Sequence, residues 1–240
     1  MYVQCDAKQL EWRTAVELSQ DETGIKELSD PTIDIHANNQ VELVLPSRLI
    51  AKIFLFRTIF RGSGWSFAHD PAFTHVSDSA KYWDDRNERF YKKYNGLDVQ
   101  HKKWAQAVLN RLPIVGPTGR EWFVPVITKN GEPKIPWTQL SNYPVQGTGG
   151  DIMVIARISL RNRLLKYKMD EVKLVSTVHD SIVADCPEAQ AKDVATIMHE
   201  VFNDIPDNFK RMFKYEMKVK FPCDTKQGPN LLDMTELTVV

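Results

Sequence analysis

Two aspartates lie where predicted strands end, and this placement suits metal binding. Asp6 follows a short strand-like segment, and Asp180 lies between two runs rich in β-branched residues, 174–178 and 181–185. The two runs predict a hairpin of two short strands with Asp180 at its tip. Carboxylates from separate strands can hold a pair of Mg²⁺ ions about 3.5–4 Å apart. Aspartate is also favoured in ordinary hairpin turns, so the tip alone does not establish a metal site.

A second group of residues combines cations and aromatic rings on one face of a predicted helix. These residues follow a helix start signal at 46–47 and recur every four positions: Arg48, Lys52, Phe56 and Phe60. Cations can hold a triphosphate while an aromatic ring packs against the base or sugar of the same nucleotide. The alternative is a core helix whose cations extend over the edge of the apolar surface. Nucleotide binding is favoured, because other positions supply an apolar face: Leu49, Ile50, Ile53, Phe54, Leu55 and Ile59.

The composition limits the possible classes of protein. The chain has 240 residues, 42% of them hydrophobic, which is sufficient for one large or two modest domains with packed cores. No apolar run approaches the ~20 residues of a membrane span, and the N-terminus lacks the features of a signal peptide. We therefore expect a soluble, cytoplasmic protein. The odd number and the spacing of Cys5, Cys186 and Cys223 indicate neither a disulfide framework nor a zinc site.

The net charge of zero conceals a strong division along the chain. Residues 44–140 contain 15 lysines and arginines against 8 acidic residues, and the remainder contains 16 against 23. A basic middle suits a polyanion, and acidic flanks suit cations or a basic partner. Solvated helix faces often carry similar runs of charge, so the division supports nucleic-acid binding without establishing it.

Local patterns predict the elements that position these residues. The predicted helices are 9–19, the polar helical region 78–112, 151–167 with Asp151 as N-cap, and 188–202. The predicted strands are 2–6, a late strand at 215–221, and short strands within 113–136 near turn signals at 116–119 and 130–133. The segment 141–150, with one proline and three glycines, is predicted to be a loop that leads into the helix at 151.

Together these residues resemble the C-terminal polymerase part of a family A DNA polymerase, the group that includes bacterial DNA polymerase I and many bacteriophage replicases. The family's first motif, Asp-Tyr-Ser-Gln-Ile-Glu-Leu-Arg, matches Asp6-Ala7-Lys8-Gln9-Leu10-Glu11-Trp12-Arg13. Its nucleotide helix, Arg-x3-Lys-x3-Phe-x3-Tyr-Gly, matches the stripe that begins at Arg48. Its shorter motifs match Asp34-Ile35-His36, Asn142 with Gln146, and His179-Asp180-Ser181. The resemblance covers nearly the whole chain.

The resemblance implies a role for each matching residue. Asp6 and Asp180 are expected to be catalytic and to hold two Mg²⁺ ions, with Mn²⁺ as an alternative. Phosphate contacts are expected from His36, Arg48 and Lys52, and contacts with the incoming nucleotide from Phe56 and Phe60. Glu11 is expected to exclude a ribose 2′-OH. The residues expected to contact primer or template DNA are Arg13, Asn142, Gln146 and His179.

Three departures from the family pattern affect four positions. Phe60-Arg61 replaces Tyr-Gly, which removes a hydroxyl and adds a cation near the base-selecting end of the helix. Thr138 replaces an arginine that contacts the primer strand. Ser181 replaces the glutamate after the catalytic aspartate, and His-Asp-Ser is typical of phage-type single-subunit RNA polymerases. That enzyme is the main alternative, and Glu11 argues against it.

The resemblance begins almost at Met1, so we expect the family's thumb, first palm segment and exonuclease domain to be absent from this chain. We therefore expect an incomplete palm sheet in which the strand of Asp6 lacks a neighbour. The chain is then either one piece of a naturally split polymerase or an isolated fragment, and the split polymerase is favoured. In that case we expect a second polypeptide that carries the thumb and exonuclease domains, with a bacteriophage as the source and the bacterial cytoplasm as the location.

The predicted fold is a mixed α/β (α+β) polymerase right hand. The palm, with its antiparallel catalytic sheet, comprises residues 1–43 and 137–240, and a mostly helical fingers insertion comprises 44–136. The predicted reaction adds deoxynucleotides to a primer 3′ end, with primer–template DNA and dNTPs as partners. A fragment that only binds DNA or a replication partner is a further alternative, against which the intact Asp6, Asp180, Arg48 and Lys52 argue.

Overall fold

The computed structural model describes residues 1–129 and 131–239, which form two compact units. The sheet unit comprises Met1–Leu10 and the chain from Gly147 onwards, and the helical unit comprises Glu11–Gln146. These divisions lie at 10 and 146, whereas the predicted palm and fingers divide at 43 and 136. The palm and fingers assignment stays a prediction, and residues 11–43 pack with the helices that follow them.

The helices are α1 (Leu10–Ser19), α2 (Glu22–Ser29), α3 (Ile35–Glu42), α4 (Arg48–Thr58), α5 (Gly64–Ala68), α6 (Ala80–Lys93), α7 (Asn95–Leu109), α8 (Trp137–Lys166), α9 (Ala191–Asn203) and α10 (Ile205–Phe213). The strands are β1 (Tyr2–Ala7), β2 (Ile114–Val115), β3 (Glu121–Trp122), β4 (Ile127–Lys129), β5 (Glu132–Lys134), β6 (Lys173–Val178), β7 (Ser181–Asp185), β8 (Cys223–Gly228) and β9 (Thr235–Glu236). Among the described residues no helix is long and apolar enough to cross a membrane.

The sheet unit is organised around β1. Its antiparallel sheet has the order β6-β7-β1-β8-β9, so β1 is bonded on both sides. Val3, Cys5 and Ala7 are buried and alternate with Gln4 and Asp6, because successive strand residues point to opposite faces. Helix α9 packs against β1 and β8. The expectation that the strand of Asp6 lacks a neighbour is wrong, because β8, which follows far along the chain, pairs with it.

The core of the helical unit is largely aromatic. Trp12 of α1 packs edge-on against Tyr94, with the ring centroids 4.8 Å apart, and Phe54 of α4 stacks on Phe67 at 5.0 Å. Both Phe54 and Trp12 are fully buried. A second cluster joins α7 to the first turns of α8 through Trp104, Val108 and Leu140, among others. Rigid aromatic packing of this kind holds α4 in place.

The predicted loop at 141–150 is wrong, since these residues lie inside the 30-residue helix α8. Buried residues at helical spacing, Leu140, Val145, Thr148 and Ile152, continue through the segment and pack it as a helix. This packing outweighs the proline at 144 and the three glycines, which are unfavourable within a helix. Asp151 is accordingly a buried interior residue of α8 and not an N-cap.

Two further predictions of local structure are wrong. The late strand is β8, which begins at Cys223, while residues 215–221 form no strand. Val219 and Phe221 are buried although the segment pairs with no described strand. Pro222, which follows it, has no backbone N–H to donate to a neighbouring strand. Phe60 lies in the turn after α4, so the predicted stripe ends at Phe56. Asn130, in one of the predicted turns, lies outside the described residues.

Candidate active site

The hairpin that carries Asp180 is confirmed. β6 and β7 pair antiparallel, with Val178 opposite Ser181, and a two-residue turn joins them. His179 adopts a left-handed conformation (φ 52°), which histidine tolerates better than β-branched residues do. The side chain of His179 is exposed at the tip, and that of Asp180 is half-buried. The tight turn therefore presents Asp180 from a fixed backbone.

The sheet brings Asp6 beside Asp180. Asp6 lies opposite Ser181 in the β1–β7 ladder, and the next backbone N–H, that of Ala7, donates to the carbonyl oxygen of Asp180 at 2.8 Å. Partial desolvation raises the pKa of Asp6 even though the residue is exposed, and the Asp180 carboxylate raises it further. Two like charges held this close disfavour each other's ionisation. A bound cation would relieve that repulsion.

The donor chemistry of this pair fits magnesium. Mg²⁺ prefers carboxylate oxygens, keeps several waters and is usually held by one or two carboxylates together with substrate phosphates. Among residues 1–129 and 131–239, no group of three or more His, Cys, Asp or Glu side chains could hold a metal ion. Asp6 and Asp180 would thus supply the protein ligands, and the remaining positions would belong to water and phosphate.

A third carboxylate near Asp6 was not found from the sequence. Asp224 lies directly opposite Asp6 in the β1–β8 ladder and also raises the pKa of Asp6, whereas Lys226 lowers it. Asp224 forms an ion pair with Lys8 at 2.6 Å. Asp6 and Asp224 both line a cleft of about 410 Å³ within the sheet unit. No local signal marks Asp224, because its position opposite Asp6 depends on the pairing of β8.

Ser181, which replaces the family's glutamate, has a structural contact. Its side chain is 5% exposed, and its hydroxyl donates to the carbonyl oxygen of Val178 at 3.0 Å, across the hairpin turn. This bond satisfies a buried hydroxyl and fastens the turn that carries Asp180. The serine therefore supports the geometry of the tip where a glutamate would add a charge.

In the helical unit, the predicted phosphate-binding residues lie near one another. Ser47 caps α4, and Arg48 at its first turn bonds through Nε to Asp34 Oδ2 at 2.7 Å. Asp34 in turn caps α3 by accepting from the backbone N–H groups of His36 and Ala37. Both Arg48 and Lys52 are exposed. The exposed start of α4 thus presents two cations to solvent beside a helix N-terminus, which favours anions.

His36 lies below this cationic surface. Its residue is 4% exposed, its Nδ1 has no hydrogen-bond partner among the described residues, and its ring lies 6.3 Å from that of Phe56. Burial lowers the pKa of His36, and the nearby Arg48 and Lys52 lower it further. The imidazole is therefore neutral at pH 7. An anion bound at Arg48 and Lys52 would favour its protonated form.

The buried side of α4 confirms one part of the sequence interpretation and corrects another. Ile50, Phe54 and Leu55 supply the core face, whereas Arg48 and Lys52 are exposed and Phe56 is half-buried. Leu49, which was expected to join that face, is 63% exposed and does not.

Two other predicted site residues meet within the helical unit. Gln146 Nε2 donates to Glu11 Oε1 at 3.3 Å, which joins α8 to the start of α1. Arg13, close by on α1, is largely buried, and desolvation lowers its pKa to about 10, so it remains charged at neutral pH. Asn142 is half-buried on α8, one turn before Gln146. Contacts of these residues with DNA stay predictions.

Comparisons with known proteins place these features in context. The sequence model of DNA polymerase family A matches residues 1–233. The chain is 25% identical over 204 residues to the DNA polymerase of Bacillus phage SP01, covering 82% of this chain and 21% of the relative. It is 25% identical over 209 residues to DNA polymerase I of Aquifex aeolicus, covering 83% and 34%. The chain thus spans between a fifth and about a third of the length of these relatives.

The fold is similar to that of a solved polymerase domain. The POL domain of Pol1 from M. smegmatis, in complex with DNA primer-template and dNTP, superposes with a TM-score of 0.77. The match covers 95% of this chain and 39% of that chain at 16% sequence identity. The mixed α/β fold with an antiparallel sheet, predicted from the sequence, is therefore confirmed.

Proposed function

The chain belongs to DNA polymerase family A, and from this membership we propose that it carries the catalytic part of template-directed DNA synthesis. The reaction adds deoxynucleotides to a primer 3′ end by nucleotidyl transfer with two metal ions. The observation that carries the proposal is the pairing of β1 with the β6–β7 hairpin, which holds Asp6 beside Asp180.

In this proposal the sheet unit holds the metals. Asp6 and Asp180 would hold two Mg²⁺ ions, or Mn²⁺ in their place, through carboxylate oxygens. Such ions would supply activation of the primer 3′-OH and neutralisation of charge on the triphosphate. The hydrogen bond from Ala7 to Asp180 and the Ser181 hydroxyl keep the two backbone segments in register. The protein's own contribution is thus a fixed pair of ligands.

The proposed role of the helical unit is to bind nucleotide. Arg48, Lys52 and His36 hold phosphates, while Phe56 packs against the nucleotide and Phe60 lies in the turn beyond it. Primer and template contacts come from Arg13, Asn142 and Gln146, and from His179 of the sheet unit. The assignment of 44–136 as fingers, and of 1–43 and 137–240 as palm, belongs to the same proposal.

Replacement of Glu11 tests the choice of sugar. If the Glu11 side chain excludes a 2′-OH, Glu11→Ala should raise ribonucleotide use relative to deoxynucleotide use, by roughly tenfold to a hundredfold in the ratio of kcat/KM values. Glu11→Gln keeps the size of the side chain and should keep most of the discrimination. Primer extension with matched dNTP and rNTP gives both ratios.

The hydrogen bond between Gln146 and Glu11 suggests a second variant for that experiment. Gln146 holds Glu11, so Gln146→Ala should lower the discrimination less than Glu11→Ala does. A wild-type chain that prefers ribonucleotides would contradict DNA synthesis. That result would support the RNA polymerase alternative, which the sequence His179-Asp180-Ser181 suggests.

We also propose that a second polypeptide supplies a thumb and an exonuclease domain. Duplex binding depends largely on many phosphate contacts, and the excess positive charge here is confined to residues 44–140. The chain alone should therefore bind primer–template weakly and with strong salt dependence.

Light scattering after size-exclusion chromatography, followed by primer extension with and without the product of the gene immediately upstream, tests this partner. We expect a heterodimer with an interface of more than about 2,000 Å² and much faster extension. A monomer that extends primers efficiently at physiological salt would show that no partner is needed.

A further inference from the structure

Helix α4 is followed by a residue in the left-handed conformation, a position that glycine most often occupies at helix ends. The N–H of Gly62 donates to the carbonyl oxygen of Arg57 at 3.0 Å, and the N–H of Arg61 donates to that of Thr58 at 2.9 Å. These two bonds form a Schellman motif, in which the residue before the last donor is left-handed. That residue is Arg61, with φ 59°. An arginine in this conformation is less favourable than glycine.

The Arg61 side chain turns inward and contacts four residues of the helical unit. Its Nη2 donates to Asp98 Oδ1 at 2.6 Å, and its Nε donates to His101 Nδ1 at 2.9 Å. Its guanidinium lies 4.1 Å from the centroid of the Tyr91 ring and 5.1 Å from that of the Trp137 ring. The planar guanidinium of arginine can donate to two acceptors and stack on aromatic rings at the same time, which the ammonium group of lysine cannot do.

The partners of Arg61 are chemically suited to it. Arginine can only donate, so Nδ1 of His101 is an acceptor and the proton of the neutral ring is on Nε2. Burial lowers the pKa of His101 to about 3, and Arg61 contributes to that lowering, which keeps the ring neutral at pH 7. Burial would raise the pKa of Asp98, but bonds from Lys102 and Arg61 outweigh it and the pKa is lowered. The cluster therefore holds paired charges and a neutral imidazole at neutral pH.

The contacts join the end of α4 to three other helices. Arg61 follows α4, Tyr91 is on α6, Asp98 and His101 are on α7, and Trp137 begins α8. Tyr91 is also bonded to the end of α4, through its hydroxyl and the carbonyl oxygen of Thr58 at 2.5 Å. The end of α4 is thus attached to other helices by hydrogen bonds and ring contacts of Arg61 and Tyr91. The start of α4 is exposed and carries Arg48 and Lys52.

We propose that Arg61 is a positioning residue for nucleotide selection: it fastens the end of α4 to α6, α7 and the first turn of α8, and so holds Phe60 and Phe56 in one orientation. The proposal rests on nucleotide binding by α4. It also means that the cation at this departure from the family pattern does not touch the nucleotide. In this proposal Arg61 affects nucleotide selection indirectly, by fixing the backbone after α4 and the orientation of the rings of Phe60 and Phe56.

Arg61→Gly is the sharpest test, because glycine suits the left-handed backbone and the variant should fold. Hydrogen exchange monitored by mass spectrometry should show the amides of residues 57–62 exchanging several-fold faster than in the wild type. In primer extension with Mg²⁺, the KM for the correct dNTP should rise several-fold and the ratio of correct to incorrect incorporation should fall, while kcat at saturating dNTP changes little. Arg61→Lys should show most of the same changes in exchange, KM and selectivity, since lysine lacks the planar set of donors of arginine.

Arg57→Ala is the matched control. Arg57 is on the same helix, pairs with Asp70 and lies over the Phe73 ring, so its loss removes a cation without releasing the turn at Arg61. Arg57→Ala should leave unchanged both the KM for the correct dNTP and the ratio of correct to incorrect incorporation.

Three outcomes would contradict parts of the proposal. Unchanged hydrogen exchange at residues 57–62 in Arg61→Gly would overturn the proposed attachment, whether or not the chain polymerises. Faster exchange with unchanged KM and selectivity would overturn the role in nucleotide selection. Absence of incorporation by the wild type in the presence of its partner would instead contradict the proposed function, and the exchange result would still decide the attachment.

Discussion

Changing Asp6 or Asp180 to asparagine is expected to lower the rate of nucleotide incorporation by roughly a hundredfold to a thousandfold or more. In the proposed site each change would remove a charged oxygen ligand, and two-metal catalysis depends on electrostatic stabilisation of the transferring phosphoryl group. Primer extension at saturating dNTP and Mg²⁺ measures the loss. Asp193→Asn, at an exposed position on α9, is the matched control and should retain full activity.

Asp6→Asn should not weaken the fold. The pKa of Asp6 is raised in the folded protein, so at pH 7 its ionised form destabilises the fold relative to the unfolded chain, and this effect disappears as pH falls below the unfolded pKa. An asparagine side chain carries no charge, so Asp6→Asn should unfold at the same temperature as the wild type or at a higher one. Thermal unfolding at pH 7 measures this.

Loss of activity together with a lower unfolding temperature would indicate misfolding and not loss of a metal ligand. Substantial activity in either variant would contradict the assignment of these carboxylates as metal ligands. The two measurements separate the explanations, because loss of a metal ligand lowers activity without lowering the unfolding temperature, whereas misfolding lowers both.

Replacing Lys52 or Arg48 with alanine is expected to raise the KM for dNTP by roughly tenfold to a hundredfold each. A hydrogen bond to a charged group contributes about 1.5–3 kcal/mol, and both exposed cations at the start of α4 are expected to contact the triphosphate. Steady-state primer extension over a range of dNTP concentrations gives the KM. Lys103→Ala, at an exposed position on α7, controls for the loss of positive charge alone.

Asp34 refines this experiment. Asparagine is as good an N-cap as aspartate, so Asp34→Asn should keep α3 intact while it removes the charge paired with Arg48. We expect a smaller change in KM than for Arg48→Ala, because Arg48 remains but is less well oriented. A KM unchanged in both Arg48→Ala and Lys52→Ala would place triphosphate binding elsewhere on the chain.

Local signals in the sequence were sufficient for several elements. The β-branched runs around residue 180 predicted the hairpin, and Ser47 predicted the start of α4, because each depends on residues within a few positions of one another. Local signals were misleading at 141–150, where proline and glycine indicated a loop. Burial of Leu140, Val145 and Ile152 keeps that segment helical, and burial is decided by partners far away in the sequence.

The candidate site divides in the same way. The residue types and spacing of Asp6, Asp180, Arg48 and Lys52 identified the family and the expected chemistry. The spacing could not show that Asp224 faces Asp6, or that Gln146 bonds to Glu11. Strand register and the packing of one helix on another are non-local, and a single sequence contains no direct measure of them.

By itself, the sequence determined which groups can act as metal ligands, which helix carries the cations, and that the chain resembles family A polymerases, because these depend on side-chain chemistry and on spacing along one element. Only the tertiary structure decided that β1 is central in its sheet and that Arg61 points inward to Asp98 and His101. The physical reason is that a strand's neighbours and a cation's partners come from segments that lie far apart in the sequence. Their contact is the result of packing and hydrogen bonding in the whole fold, to which no local pattern corresponds.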